Sequence, residues 1–234
     1  MKEDVSVILP TYNEAGNIAR LVVSIDKLFA PFEIIVIDDQ SNDGTIDELK
    51  RIKKQIKCLK VHINKQRLGL TKSIKKGIAT SSGKIVAWMD ADFSQPPMTL
   101  NKMYQKIKKY DFIIGSWLCS GGKDARKEKL DIIRSFLINK ICQIFLRDGI
   151  TAYTSGFAMA RKKIFNAYEM PGDYGEYFID LVHFVRGKKY RICEVPFTCV
   201  SRTVGLSKTN PNLFILAKRT FQYLGMTVRT SINQ

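Results

Sequence analysis

One rhythm governs the first half of this 234-residue chain: a short β-rich run, a polar loop, then a stretch with helical spacing. VSVIL (5–9), EIIVI (33–37), LKVHI (59–63), KIVAWM (84–89) and FIIGS (112–116) read as strands. Between them, 17–29, 45–57, 70–80 and 98–109 carry helical periodicity; Ile46, Leu49, Ile52 and Ile56 share one face. Strands alternating with helices specify an α/β fold with a Rossmann-like, mostly parallel, doubly wound sheet flanked by helices. Such sheets bind ligands at the carboxyl ends of their strands. The loops PTYNE (10–14), DDQSNDGT (38–45) and DADFSQPP (90–97) all fall at that edge, and this is the reason to read them together.

After residue 117 the pattern changes. Residues 118–128 read as a mobile basic loop, and 129–147 as a helix with a broad apolar face and Lys or Arg on the rest. TSGFAMA (154–160) returns a strand and EYFIDLVHFVRG (176–187) another helix. YRICEVPFTCV (190–200) is a strand whose Pro196 suggests an edge or a bend. The final stretch, from Asn212 to Ser231, is amphipathic and carries no acidic residue. The expected organisation is one unit over 1–208, with 118–147 inserted as a loop and interfacial helix, followed by an amphipathic segment at 209–234.

Lys and Arg number 38 against 22 for Asp and Glu, a net charge of +16. That surplus calls for an acidic counterpart: nucleic acid, an anionic membrane surface or a phosphorylated substrate. The first apolar run is too short for a signal peptide, and no stretch approaches the roughly 18 apolar residues of a spanning helix. Five cysteines without a C-x-x-C pair read as buried thiols in a reducing compartment. A location on the cytosolic side is expected.

The sharpest local signal is Asp90-Ala91-Asp92 at a strand tip. Where the pleat ends, the two carboxylates can diverge, one toward a ribose and one toward a hard divalent cation that bridges to substrate phosphates. A structural salt bridge is the alternative. In DDQSNDGT, Asp43 or Thr45 caps the next helix, which leaves Asp38 and Asp39 for a nucleotide. PTYNE offers Tyr12 as a flat surface beside Glu14. RTVGLSK (202–208) sets Arg202 and Lys208 around a glycine turn suited to phosphate. No Gly-x4-Gly-Lys-Ser/Thr loop is present, which argues against nucleoside-triphosphate hydrolysis. His62 and His183 read as structural or surface groups, and Glu176 and Asp180 as a solvated helix face. Nucleic-acid binding would use the +16 charge, but it leaves acidic loops where phosphates should bind; no nucleic acid is expected as a partner.

The ordered set PTYNE, VIDDQSNDGT (36–45), RLGL (67–70), DADFSQPP, TSGF (154–157), EVPF (194–197) and RTVGLSK resembles family 2 glycosyltransferases of the GT-A fold. More narrowly it is similar to dolichyl-phosphate mannose synthases and related polyprenyl-phosphate glycosyltransferases. The resemblance implies that Pro10, Tyr12, Glu14, Ile37, Asp39, Asp90, Ala91 and Lys208 contact the nucleotide. It implies Asp90, Asp92 and Ser94 at a Mg or Mn ion, Asp92, Arg202 and Lys208 as the catalytic groups, and Arg134, Ser135 and Arg202 at the acceptor phosphate. Two positions depart from the pattern: Ser94 stands where many relatives carry Gln, and Trp117 where many carry Arg.

The implied reaction moves a hexose, mannose in the first place, from GDP-mannose to a dolichyl or polyprenyl phosphate. UDP-glucose as donor, a carbohydrate acceptor and a catalytically idle relative are the alternatives. A sugar hydroxyl needs a general base, whereas a phosphate monoester, with a second pKa of about 6, is already an anionic nucleophile. The absence of a compelling base therefore fits a lipid phosphate. The basic helix at 129–147 and the acid-free terminal helix resemble interfacial elements, which implies peripheral docking on an anionic membrane surface at its cytoplasmic face, alone or with a membrane-anchoring subunit.

Overall fold

The structure is a computed structural model and describes residues 2–204 and 213–232. The alternation becomes β1 (Lys2–Thr11), α1 (Ile18–Leu28), β2 (Pro31–Asp38), α2 (Thr45–Lys53), β3 (Leu59–Ile63), α3 (Leu70–Thr80), β4 (Ile85–Trp88), α4 (Thr99–Ile107) and β5 (Phe112–Ser116). There follow β6 (Lys123–Ala125), α5 (Lys129–Leu146), β7 (Ala158–Arg161), α6 (Tyr177–Gly187), β8 (Ile192–Pro196), β9 (Thr198–Val200) and α7 (Leu213–Ile232). Seven strands form one sheet in the order β3-β2-β1-β4-β7-β5-β8, parallel except for β7, which runs antiparallel to both neighbours.

The strands are buried on both faces, and their alternation sorts the core into two layers. Val5, Val7 and Leu9 of β1 meet Leu21 and Ile25 of α1, with α2 and α4 on the same side. Ile8, Ile35, Ile37 and Trp88 face the other way, toward α3, α5 and α6. The helices thus cover both faces of the sheet, and each fully buried Val, Leu or Ile contributes about 1.5–3 kcal/mol relative to exposure. Gly77 lets α3 lie close on the sheet: a Cβ there would strike Ile8 and come within 3.4 Å of Ile37.

Several expectations need correction. Residues 118–128 are not simply a loop, because Lys123–Ala125 pairs in parallel with Thr198–Val200 in a two-stranded sheet. The run at 190–200 is two strands, β8 ending at Pro196 on the sheet's edge and β9 turning to meet β6. Glu176 and Asp180 are not a solvated face. Glu176 is 3% exposed, and its Oε1 accepts hydrogen bonds from the Asp173 and Tyr174 amides at 3.1 and 3.4 Å. Asp180 accepts one from the Tyr168 hydroxyl at 2.8 Å. Of the five thiols, Cys142 and Cys199 are buried and the other three half-buried.

The terminal helix α7 is amphipathic, as expected, and it also packs on α5 and α6. Met226, Thr227 and Thr230 are buried, and Thr227 meets the Cys142 thiol at 3.2 Å. Phe221, Val228 and Ile232 remain exposed.

Because Gly77 has no room for a side chain, Gly77→Val should lower unfolding free energy by about 1–3 kcal/mol, as overpacked cores do. Urea unfolding would read it; an unchanged midpoint would show that α3 lifts off the sheet at no cost.

Candidate active site

The chain reverses direction across the sheet at β1, which has β2 on one side and β4 on the other. A crevice opens outside the carboxyl ends of strands at such a switch point. The last paired residues there are Thr11 with Asp38 and Ile8 with Trp88, so Pro10 and Asp90 emerge at neighbouring positions.

The first two loops are laced together by side chains. Ser41 Oγ accepts from the Asn13 amide at 2.8 Å, Asn13 Oδ1 from the Asn42 amide at 2.9 Å, and Thr45 Oγ1 from the Glu14 amide at 2.8 Å. Asp38 accepts both the amide and the hydroxyl of Ser41, at 2.9 and 2.6 Å, so it closes its own turn. Asp43 accepts the Thr45 amide at 3.0 Å at the start of α2, and the Ala15 amide at 3.1 Å across the loops. The N-cap position itself is Gly44, with no side-chain cap bond, so neither Asp43 nor Thr45 is the cap expected there; Asp43 serves the Thr45 amide from one residue earlier. Asn13 and Gln40 sit at positive φ, 53° and 64°, in these turns.

Asp39 is 5% exposed, and its carboxylate takes the Leu68 and Gly69 amides at 2.7 and 2.9 Å and Asn64 Nδ2 at 3.0 Å. It therefore anchors the RLGL segment. Arg67 of that segment lies 3.8 Å over the ring of Tyr12, so the flat surface offered by PTYNE already carries a cation on one face.

In DADFSQPP the two carboxylates do diverge. Asp90 is gripped by Gln95, whose Oε1 accepts the Asp90 amide at 2.9 Å while Nε2 donates to Asp90 Oδ2 at 3.2 Å and to the Ser155 carbonyl at 3.1 Å. Asp92 Oδ1 accepts the Ser94 amide at 3.0 Å, and Oδ2 takes Arg202 Nη2 at 2.8 Å. The same guanidinium is 3.6 Å from Glu14, whose other oxygen accepts Asn17 Nδ2 at 2.7 Å. Phe93, between them, is held at φ 65°, an uncommon state for a bulky residue. Backbone bonds from Val200 to the Ser94 carbonyl and from Thr203 to the Asp92 carbonyl, both 3.2 Å, clamp the 200–204 segment over this turn.

Burial and the negative charges of Asp92 and Glu14, partly offset by Arg202, push Asp90 up to about 7. A carboxylate so placed gains from an added cation. Asp90, Asp92 and Ser94 supply oxygen donors, the set a hard divalent ion prefers. Among the described residues no group of three or more His, Cys, Asp and Glu is placed to hold a metal alone.

These loops open into a cleft of about 1030 Å³. Pro10, Asp90, Asp92 and Ser94 line it from the sheet edge, Arg134 and Ser135 from α5, and Arg202 from its place against Asp92. Arg134 also pairs with Asp131 at 3.4 Å. Tyr12, Glu14 and Asp39, expected at the nucleotide, are not among the residues that line it. Ile37 and Ala91, 0% and 5% exposed, have their side chains in the core, so contact with a ligand there would be through main chain. Lys208 falls outside the described residues.

Sequence reasoning missed four residues of the cleft: Gln95, Arg126, Arg219 and Tyr223. Gln95, one residue past the expected ligand, was overlooked although an amide beside paired carboxylates is a natural clamp. Trp117 and Arg126 line the cleft together, with the guanidinium 5.7 Å over the indole. Arg219 and Tyr223 of α7 close another side, where Arg219 lies 3.9 Å over Tyr174. The Tyr223 hydroxyl abuts Gly175, where a Cβ would strike it. Nothing in the local sequence of α7 announces that role.

Comparison with known proteins agrees with this architecture. The profile of glycosyl transferase family 2 matches residues 6–169. A dolichol-phosphate mannosyltransferase of Pyrococcus furiosus is 31% identical over 226 residues, 94% of this chain and 61% of that protein; the chain thus spans about three fifths of that relative. The Saccharomyces cerevisiae dolichol-phosphate mannosyltransferase is 27% identical over 229 residues, covering 92% and 84%. Among solved structures, glucosyl-3-phosphoglycerate synthase from Mycobacterium tuberculosis, in complex with Mn2+, UDP and phosphoglyceric acid, superposes with a TM-score of 0.75 at 18% identity, over 98% of this chain and 78% of that one. The shared fold is the expected GT-A type.

Replacing Asp90 by Asn removes a carboxylate repelled by Asp92 and Glu14. In metal-free buffer at pH 8, Asp90→Asn should raise the thermal midpoint by about 2–4 °C, roughly 1 kcal/mol. A lower midpoint would mean that the Gln95 clamp, not charge relief, dominates there.

Proposed function

The chain belongs to glycosyl transferase family 2, and on that premise we propose that it transfers a hexose, mannose from GDP-mannose, to the phosphate of a dolichyl or other polyprenyl phosphate. The observation that carries this reading is one cleft lined both by two carboxylates, Asp90 and Asp92, and by the cations Arg134 and Arg202 beside Ser135. The carboxylates suit a cation–diphosphate and the guanidinium groups the anions of donor and acceptor. The relatives' names, dolichol-phosphate mannosyltransferase, support both the sugar and the acceptor.

An acceptor phosphate oxygen attacks the anomeric carbon. The bond from that carbon to the nucleoside diphosphate breaks, its electron pair leaves with the diphosphate, and configuration inverts. No proton has to be removed from the nucleophile, because a phosphate monoester is largely dianionic above its second pKa of about 6. A Mg or Mn ion held by Asp90, Asp92 and Ser94 would supply positive charge opposite the departing diphosphate. Arg202, oriented by Asp92 and Glu14, offers donors to the same diphosphate. Pro10 and the laced loops behind it shape the nucleotide's end of the cleft. Lys208 joins the catalytic set on the resemblance alone.

We place the protein peripherally on the cytoplasmic face of a membrane. None of the described helices is long and apolar enough to cross one. Yet α5 exposes Leu130 (83%), Ile133 and Leu137, and α7 exposes Phe221 (72%) and Ile232 (76%). Apolar side chains among Lys129, Lys140 and Arg229 are what an interfacial helix presents to anionic lipid.

The test is transfer of labelled sugar into polyprenyl phosphate from GDP-mannose and UDP-glucose in parallel, with and without chelator. Transfer from GDP-mannose, abolished by chelator and reduced at least about 100-fold in Asp92→Ala, is expected. Transfer from UDP-glucose alone would replace the donor, and transfer to free sugar hydroxyls but not to lipid phosphate would overturn the acceptor.

A further inference from the structure

We propose that Arg126 binds the acceptor phosphate, presented by the 118–128 segment over the face of Trp117 in the cleft. The inference rests on the acceptor being a phosphate, as proposed above.

Position 117 is occupied by Trp117, 7% exposed, packed edge-on against Phe197 at 6.0 Å and lining the cleft. A tryptophan donates a single N–H and carries no charge, so it cannot hold an oxyanion as an arginine does. What it offers is a broad face, and Arg126 lies over that face with its guanidinium carbon 5.7 Å from the ring centre. The pairing of β6 with β9 brings residue 126 there. Lys123, Asp124 and Ala125 are in register with Thr198, Cys199 and Val200, so the next residues run beside Ser201 and Arg202.

Arg126 is also pre-set in orientation. Asp124 takes its Nε at 2.9 Å and its Nη2 at 2.6 Å, a two-point grip along one edge of the planar group. A guanidinium has five N–H donors, so the opposite edge, Nη1 with the second hydrogen of Nη2, still has donors to offer a phosphate. Arg134 lines the same cleft beside Ser135, and its partner Asp131 lies close enough to Arg126 to favour the charged form. Burial works against the Arg126 cation, but the hydrogen bonds of Asp124 and these neighbouring charges outweigh it, and its pKa is raised. Arg126 and Arg134 thus line the same cleft as Arg202, with Arg126 carried there by the strand pair that runs alongside residue 201.

The experiment compares wild type, Arg126→Ala, Arg126→Lys and the double variant Arg126→Ala with Trp117→Arg. Two readouts are taken: calorimetric binding of a short-chain prenyl phosphate, and KM for polyprenyl phosphate and for nucleotide sugar in the transfer assay. Arg126→Ala should weaken binding of the prenyl phosphate and raise the lipid KM by about 10- to 100-fold, the range of one or two charge-assisted hydrogen bonds, with the nucleotide-sugar KM unchanged. Arg126→Lys should fall between, since it keeps charge but not the fork. Recovery of affinity in the double variant would show that the cation, not the loop's fold, is what matters. Unchanged prenyl-phosphate binding in Arg126→Ala, or equal losses for lipid and nucleotide sugar, would overturn the assignment while leaving the transferase reading intact. Binding that depends on Arg126 in a wild-type protein that transfers nothing to lipid would instead overturn the transferase reading and leave an anion site.

Discussion

The contact between Arg202 and the two carboxylates of Asp92 and Glu14 is the constraint on which the site depends. Glu14 comes from the loop after β1, Asp92 from the loop after β4, and Arg202 from beyond the last strand. Buried like charges are costly unless paired, and here the carboxylates come from loops that the sheet's crossover forces together. The guanidinium relieves that repulsion and draws the 200–204 segment across the DADFS turn. The clamp in turn holds Phe93 in a left-handed conformation that costs of order 1–3 kcal/mol elsewhere. Local strain and local repulsion are thus stored at the cleft and compensated by one long-range pairing.

Much of the first half was legible because parallel strands buried on both faces leave an unambiguous record. Apolar runs such as VSVIL and EIIVI, bounded by polar loops, permit little else, and their carboxyl ends mark where the cleft opens. The antiparallel β7 was less legible. Four residues inserted between β4 and β5 owe their place to partners more than forty residues away, and no local period encodes that. The pair of β6 and β9 was illegible for a different reason: Lys123-Asp124-Ala125 has a loop's composition and pairs through its backbone.

The site shows the same division. Spacing placed Asp90 and Asp92 at a strand tip, where they take different partners, Gln95 and Arg202; the second is the salt bridge that stood as the alternative reading. Spacing did not foresee that Asp39 would be committed to the amides of Leu68 and Gly69, since a carboxylate looks alike in sequence whether it faces a ligand or a loop. The resemblance drew attention to Ile37 and Ala91, whose side chains belong to the core. Composition marked α7 as amphipathic without revealing that part of its surface is spent on α5 and α6. The +16 charge likewise does not report the sign inside the cleft, where the floor is acidic and the cations stand around it.

Asp92 and Arg202 are 110 residues apart in the chain. A ribosome working at about 5–20 residues per second delivers the second roughly 5–20 seconds after the first. Through that interval the nascent chain already holds β1 to β4 and the acidic tips of their loops, but not the guanidinium that neutralises them. Synthesis therefore lays down the strands whose tips carry the carboxylates well before it can supply their cation, and a chain interrupted ahead of residue 202 would carry those acidic loops electrostatically open.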